Sequence, residues 1–255
     1  MKTFVGDIHV HTGLSPCAAK DMTPNNIIRM AKLENRDFLV ICDHHSVGNV
    51  QACQEVGAEY GLTVLPGMEL ETREGVHLLT IFPSLEVALA QQRWVHSSLA
   101  PIKNRREVFG EQLIFDSRDR IIGSEPQLLS QGLPHSLSAV TEQMQAEGAL
   151  VIAAHVERRS SGLLGQLGLV PADFAPDGWE IGLGENLSAV QDRYHLAQAK
   201  GWVFGSDAHY LQDLVTPWVT VLQAEGITFA ELAKALQQNQ GRKTEIRCLE
   251  HKISE

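Results

Sequence analysis

A chain of 255 residues, 44% hydrophobic and 20% charged, can bury an ample core, and its length suits one α/β barrel domain over 1–255 carrying an insertion. With 21 basic against 31 acidic side chains the formal charge is −10, which argues against broad, unaided docking on a nucleic-acid backbone; a nucleic-acid polymer is therefore set aside as a partner, while a small phosphorylated substrate stays open because bound divalent cations would reverse the local field. The four cysteines form no CxxC pair, no leader-like segment precedes the first strand and no apolar stretch would span a bilayer, so the expected setting is cytoplasmic and off the membrane.

In chain order, Phe4-Val5 leads into Asp7-Ile8-His9-Val10-His11-Thr12. Alternate side chains of an extended strand share a face, which places Asp7, His9 and His11 on one side and Ile8 and Val10 on the other. Burying unpaired polar groups costs several kcal/mol, so this trio suits a metal better than a core. The loop from Gly13 to Met22 carries Cys17. Thr23-Pro24 then opens a helix, threonine as N-cap and proline at the first helical position. The continuous apolar run Phe38 to Cys42 reads as a fully buried parallel strand ending in Asp43-His44-His45. A helix over about 47–60 follows, and Thr63 to Gly67 leads into Met68-Glu69. If Arg73-Glu74-Gly75 turns the chain, Glu69 and His77 lie on adjoining antiparallel strands.

From Pro83 to about Gln145 the pattern weakens. The stretch at about 83–147 reads as an insertion over the barrel mouth, with Leu85 to Val95 and Arg105 to Leu113 helical, turn signals over Ser117 to Pro134, and His96 and His135 as surface residues. After a helix over about 136–147, Ala149 to Ala154 is a buried strand ended by His155, and Glu157-Arg158-Arg159 lies in the loop beyond. Gly178 to Ile181 is a short strand bearing Glu180, and a helix over about 187–200 follows. Trp202 to Ser206 is closed by Asp207-Ala208-His209, and Trp218 to Leu222 is a further strand. Thr228 caps a final helix, with Glu231 completing a capping box.

Four times beyond the opening motif a strand runs directly into Asp, His or Glu. In parallel α/β architectures functional groups gather at the carboxyl ends of strands, so these residues converge on one mouth. Imidazole with carboxylate suits zinc, manganese or iron better than calcium or magnesium. The pattern alone points to a metallohydrolase.

These motifs resemble those of the PHP (polymerase and histidinol phosphatase) family. Asp7-x-His9-x-His11-Thr12 is similar to its first motif and Asp43-His44 to its second; Pro66-Gly67-Met68-Glu69, Val76-His77-Leu78-Leu79, Ala154-His155 and Ser206-Asp207-Ala208-His209 follow in order. The resemblance implies a distorted (β/α)7 TIM-like barrel, with phosphoesterase activity at two to three divalent metal ions on the C-terminal ends of the strands. It implies one metal on His9, His11, Glu69 and Asp207, a second on Glu69, His77 and His155, and a third on His44, His209 and the residue at position 17. Family members often have His or Asp at or near that place, and Cys17 departs from them. A thiolate is a competent zinc ligand, and the alternative is a small loop residue beside a weak or empty third site.

Arg158 occupies the place where related phosphatases put a phosphate-binding arginine, with Arg159 as the fallback. His209 is the first candidate general acid, a role that competes with metal ligation, and His45 is the second. Asp43 joins His209 among the candidate catalytic residues, and with Asp7 reads as a carboxylate that orients an imidazole. Glu180 is either a group at the mouth or a carboxylate at the core edge. The implied function is hydrolysis of a small phosphorylated metabolite, such as a nucleotide or histidinol phosphate, by metal-activated hydroxide. The alternatives are a PHP-type exonuclease and a non-catalytic metal-bound module.

Overall fold

The structure, a computed structural model, describes residues 1–182 and 187–249. Its main sheet runs in the order β11-β10-β1-β2-β3-β4-β7-β8-β9. The nine strands form one nearly closed, barrel-shaped sheet, in which β1 (Lys2–Val10), β2 (Phe38–Ile41), β3 (Thr63–Glu71), β4 (His77–Ile81), β7 (Leu150–Ala153), β8 (Gly178–Ile181) and β9 (Trp202–Phe204) bear or precede the site residues. A separate hairpin of β5 (Leu113–Phe115) and β6 (Ile121–Ser124) lies in the insertion, and β10 (Trp218–Ala224) and β11 (Lys243–Cys248) extend the sheet beyond β1. The sheet curls until it nearly closes. Val10 bridges Ala208, His11 N donates to Ala208 O, and Phe204 N donates to Thr220 Oγ1.

From β1 to β9 pairing is parallel except where β4 runs backward between β3 and β7, while β10 and β11 pair antiparallel with β1 and with each other. β3 switches partners along its length: Thr63–Pro66 pair with β2, and Gly67–Glu71 pair with β4. Pro66, which has no N–H to donate, sits at that switch. Because β4 is reversed, its first residue, His77, stands at the same end of the barrel as the last residues of its neighbours. Glu69 and His77 lie on adjoining antiparallel strands, as expected from the 73–75 turn, in a register that sets Glu71 opposite His77 and Glu69 opposite Leu79.

The helices α1 (Pro24–Leu33), α2 (Val50–Tyr60), α3 (Leu85–Ser98), α5 (Leu137–Ala146) and α7 (Leu187–Arg193) cover the outer face. Met68, Leu70, Trp179 and Ile181 belong to the apolar cluster beneath those helices. Glu69 and Glu180, which alternate with them, therefore face the barrel interior. The interior cluster holds Val40, Leu65, Leu79, Ile152 and Val203, and is plugged at the end opposite the mouth by Leu232, Ala235 and Leu236 of α8 (Phe229–Leu236).

Several sequence expectations shift. Four β1 residues, Asp7 to Val10, stand against three of β2, Leu39 to Ile41, and this bulge breaks the strict alternation: Ile8 joins the inner cluster and Val10 the outer. The expected helix at 105–113 shrinks to α4 (Arg106–Phe109), since Gly110 ends it and Leu113 begins β5. The helix expected over 187–200 ends at Arg193. Strand β11 is additional, and α6 (Leu163–Leu167) follows the loop after His155.

Candidate metal centre

Every strand end named by the motifs delivers its side chain to one mouth. His9 lies in β1 and His11 just past it, His44 three residues beyond β2, Glu69 within β3, and His77 at the head of β4. His155 follows β7 by two residues, while Asp207 and His209 follow β9. His155 and Asp207 have positive φ, 26° and 51°, as does His45 at 51°. Non-glycine residues rarely adopt that region, and it collects at functional sites where the surrounding structure holds it.

Glu69 is the hub. Its Oε1 lies 2.7 Å from His77 Nδ1, 3.2 Å from His155 Nε2 and 3.4 Å from His9 Nε2. Its Oε2 lies 3.0 Å from His44 Nδ1 and 3.3 Å from His11 Nε2, yet makes a properly directed hydrogen bond with neither. Asp207 Oδ1 lies 3.0 Å from His11 Nε2 and 3.2 Å from His9 Nε2. The two Nε2 atoms of His9 and His11 are 3.0 Å apart.

Behind the cluster, other groups fix which nitrogen faces it. Ser15 Oγ donates to Asp43 Oδ1, so it accepts from His11 Nδ1 at 2.8 Å. Glu180 takes His9 Nδ1 at 3.0 Å. The Asp207 carbonyl, which can only accept, takes His209 Nδ1 at 2.7 Å. In the neutral tautomers that these bonds select, Nε2 of His9, His11 and His209 presents a lone pair to the cluster. Lone pairs that converge roughly 3 Å apart are what a shared cation requires, since ligand nitrogens lie about 2.1 Å from zinc. Three donor groups, each within 4.8 Å, fit such ions: His9, His11, Glu69 and Asp207; Glu69, His77 and His155; and His11, His44 and His209. Cys17 Sγ lies 3.0 Å from His209 Nε2, beside the third group.

Electrostatics follow the same pattern. Burial opposes the charged form of Glu69, but His77, His9 and His44 hold its carboxyl well below the usual range. Asp207 is likewise held low by His9 and His11 against burial. Burial disfavours charge on His9, but Glu180, Asp207 and Glu69 raise its pKa well above the ordinary value. Desolvation raises the Cys17 thiol, and the His209 and His44 imidazoles beside it, which favour the thiolate, bring it down to about 5.

Of the other sequence candidates, Arg158 reaches the site and pairs with Asp207 Oδ2, with 41% of its side chain exposed; Arg159 is exposed in the loop beyond. Asp43 is buried behind His11, accepting from Thr12 N, Thr12 Oγ1 and Ser15 Oγ. Asp7 lies outside the cluster, its Oδ1 accepting from His9 N and Ser206 N. His45 is fully buried, and burial with the neighbouring His44 takes its pKa down to about 3. Glu180, read from sequence as a group at the mouth or at the core edge, is the carboxylate that grips His9 and also accepts from His155 N at 2.8 Å. Its place requires Gly205, where a Cβ would come within 2.0 Å of Glu180 Oε1. Ser15 was not foreseen; three residues past Thr12, it carried no signal beyond its place in the loop. His96 meets His45 O, and His135 stacks on Trp94 within the insertion.

No protein-family model matches the chain, and no curated protein matches it. Solved structures do. Endonuclease Q from Pyrococcus furiosus, described as a lesion-specific endonuclease, superposes with a TM-score of 0.71 at 20% identity, covering 95% of this chain and 58% of that one. Endonuclease Q in complex with a 27-mer duplex bearing an abasic lesion at its active site gives 0.64 at 19% identity, with the same coverages. A two-domain Bacteroides vulgatus protein containing a PHP-like metal-dependent phosphoesterase gives 0.57 at 14%, covering 97% of this chain and 65% of that one. The chain thus spans 58% of the length of endonuclease Q.

The exclusion of a nucleic-acid polymer is corrected by the duplex complex: the same fold holds DNA at its active site in endonuclease Q, so a net charge of −10 does not decide the partner. The physical reason is that net charge sums over the whole surface, whereas docking depends on charge at the mouth. Among the described residues no helix is long and apolar enough to cross a membrane. With its nearly closed, barrel-shaped sheet and these structural matches, the chain has the fold of the PHP-like metal-dependent phosphoesterases.

Proposed function

We propose that the chain hydrolyses phosphoesters with two to three divalent metal ions held at this mouth. The supporting observation is Glu69, one buried carboxylate within 3.4 Å of five imidazoles. Without cations so many nitrogens crowd one acceptor; with them, Glu69 would serve two of the sites. His9, His11, Glu69 and Asp207 would hold one ion, Glu69, His77 and His155 a second, and His44, His209 and Cys17 a third. The donor set suits zinc, manganese or iron. Such ions, when bound, lower the pKa of water toward neutrality and hold phosphoryl oxygens as charge develops.

The chain's own residues do the rest. Arg158, exposed on one side and paired with Asp207 on the other, offers guanidinium N–H groups to phosphoryl oxygens. His209 donates Nδ1–H to the Asp207 carbonyl, which leaves Nε2 as a ligand atom and weakens its claim as general acid. Asp43 acts as a positioning residue through Ser15 and His11. The four free thiols, at Cys17, Cys42, Cys53 and Cys248, suit a reducing compartment, and we place the protein in the cytoplasm.

A second reading, phosphodiester cleavage in a nucleic acid, draws on the DNA-bound endonuclease Q. The deciding experiment is metal content per chain, on protein purified without chelator, together with turnover of a chromogenic phosphomonoester, a phosphodiester and an oligonucleotide. Bound metal with turnover that Asp207→Ala abolishes is the expected result. No metal after reconstitution with zinc, manganese or iron overturns the proposal.

A further inference from the structure

The insertion does more than cover the outside of the barrel. Leu113 N donates to Gly13 O, Asn49 Nδ2 donates to Thr12 Oγ1 and Leu113 O, and Lys20 pairs with Glu111, so the β5–β6 hairpin and α4 are tied to the loop that carries Cys17. The tightest contact is at Gly110, whose φ is 98° and where a Cβ would come within 2.0 Å of Pro16 O. Only glycine permits that approach. It sets Phe109 one residue from the contact, and the contact one residue from Cys17. Phe109 therefore stands beside the loop whose Cys17 reaches His209.

Phe109 is 37% exposed, and the Arg105 guanidinium lies 5.7 Å from the centre of its ring. The insertion also exposes Ile102, Val108, Ile121 and Ile122, at 47% to 65%. Five of the twelve large exposed hydrophobic residues among those described thus fall within 102–122. Charge is distributed in the same sense. Within this stretch Arg120 pairs with Asp116, Glu111 is taken by Lys20, and Asp119 accepts from Thr23 and Asn25. Lys103, Arg105, Arg106 and Arg118 have no carboxylate partner among the described residues, against two acids without a cationic partner, Glu107 and Asp119. A chain of net charge −10 thus places uncommitted cations and an aromatic face together beside its reacting centre.

Single-stranded nucleic acid is recognised by that combination. Cations follow the phosphates while bases stack on exposed rings, an arrangement that a guanidinium beside the ring reinforces. We propose that Arg105, Arg106 and Phe109 form a docking platform for an unpaired stretch of nucleic acid, which delivers a backbone phosphodiester to the cluster beside Cys17. The proposal deepens the hydrolase reading and rests on it for the reaction, though not for binding. An acidic peptide would find the cations but has no bases to stack on the ring, and a second copy of this acidic chain would meet charge repulsion over most of its surface.

The test is fluorescence anisotropy of the whole protein with a labelled phosphorothioate deoxyoligonucleotide of about 15 nucleotides, titrated over a range of salt. Wild-type protein is expected to bind. Phe109→Ala should weaken binding about tenfold, with Phe109→Trp restoring it. Arg105→Ala with Arg106→Ala should also reduce the slope of log affinity against log salt by about 1.4, the value for two lost phosphate contacts on a single strand. A merely structural role for the arginines would not move that slope. The comparison protein carries Lys243→Ala and Arg247→Ala on edge strand β11, which remove equal charge.

Equal weakening in the comparison protein, no binding by wild type, or a self-associated dimer abolished by Phe109→Ala would each overturn the platform. Phosphoester turnover without oligonucleotide binding would leave the hydrolase reading standing and remove this one. Binding without any turnover would do the reverse.

Discussion

At the scale of single residues, the site depends on groups that never touch substrate. Glu180 holds His9 Nδ1 at 3.0 Å and accepts His155 N at 2.8 Å, so one carboxylate aligns residues from two metal groups. Both partners are donors. A carboxamide offers one acceptor oxygen, and its NH2 would oppose the second donor. Glu180→Gln is expected to lower metal affinity or kcat/KM about 10–100-fold, the usual cost of losing a carboxylate behind a ligating histidine. Metal titration read by a chelator dye checks this, and wild-type affinity in the variant would show that His9 is aligned without it. Asp7 illustrates the limit of reading such roles from sequence. It is as close to His9 as any carboxylate in the chain, yet it binds the backbone of His9 while Glu180, 171 residues away, takes the ring. Proximity in sequence foretold a carboxylate for His9 but not which one, because the choice depends on the pairing of β7, β8 and β9.

At the scale of elements, legibility followed locality. Strand-end motifs such as Asp43-His44 and Asp207-Ala208-His209 could be placed because a short strand and its last side chains form one local unit, and α1 was announced by Thr23-Pro24. The β5–β6 hairpin was not legible, because its three- and four-residue strands take their order from Gly13, Asn49 and one another rather than from any periodicity. Strand β11 was missed because its charged, half-exposed residues carry no apolar alternation. At α8 the expected capping box is half present. Thr228 Oγ1 accepts from Glu231 N, but the Glu231 carboxylate turns away to Glu225 N, Arg242 and Lys234, joining the end of β10 to the start of β11. Those bonds, the Glu225 N–H first, bring its pKa down to about 2. Thr228→Ala should cost about 1 kcal/mol, roughly 2–4 °C in Tm. For Glu231→Gln the sign follows from a depressed pKa: the carboxylate stabilises above the ordinary value of about 4.5 and loses that contribution as pH falls toward about 2. The Tm gap between wild type and variant should therefore be widest at neutral pH and shrink through that window; a gap that is constant with pH would assign the loss to packing.

At the scale of the whole molecule, one mouth gathers side chains able to hold a metal from β1, β3 and β4 and from the segments that follow β2, β7 and β9, so a bound ion would tie together most of the barrel. Ions that bind only the folded chain add stability by mass action, about 2.7 kcal/mol at a hundredfold excess over Kd, which is about 5–10 °C in Tm for a chain of this size. Without ions the same residues are held by imidazolium–carboxylate contacts. Against the opposing effect of burial, Glu180, Asp207 and Glu69 raise the pKa of His9, Asp207 and Glu69 raise that of His11, and Glu69 raises that of His44. A raised histidine pKa contributes stability that is fully present below about 6.5 and is lost as pH climbs through the folded value. His155 is shifted the other way, chiefly by burial, and its contribution changes only around and below that pH. The Cys17 thiol, brought down to about 5 from an ordinary value of 9, works in the opposite sense, but with three imidazoles against one thiol the chelated protein should lose stability as pH rises above about 7. The metal-loaded protein should gain over the same range, because each imidazole must shed its proton to bind. Melting curves with and without chelator should diverge as pH rises. Parallel curves would mean that the cluster neither binds ions nor holds the barrel by charge, and the hub role of Glu69 would fall with it.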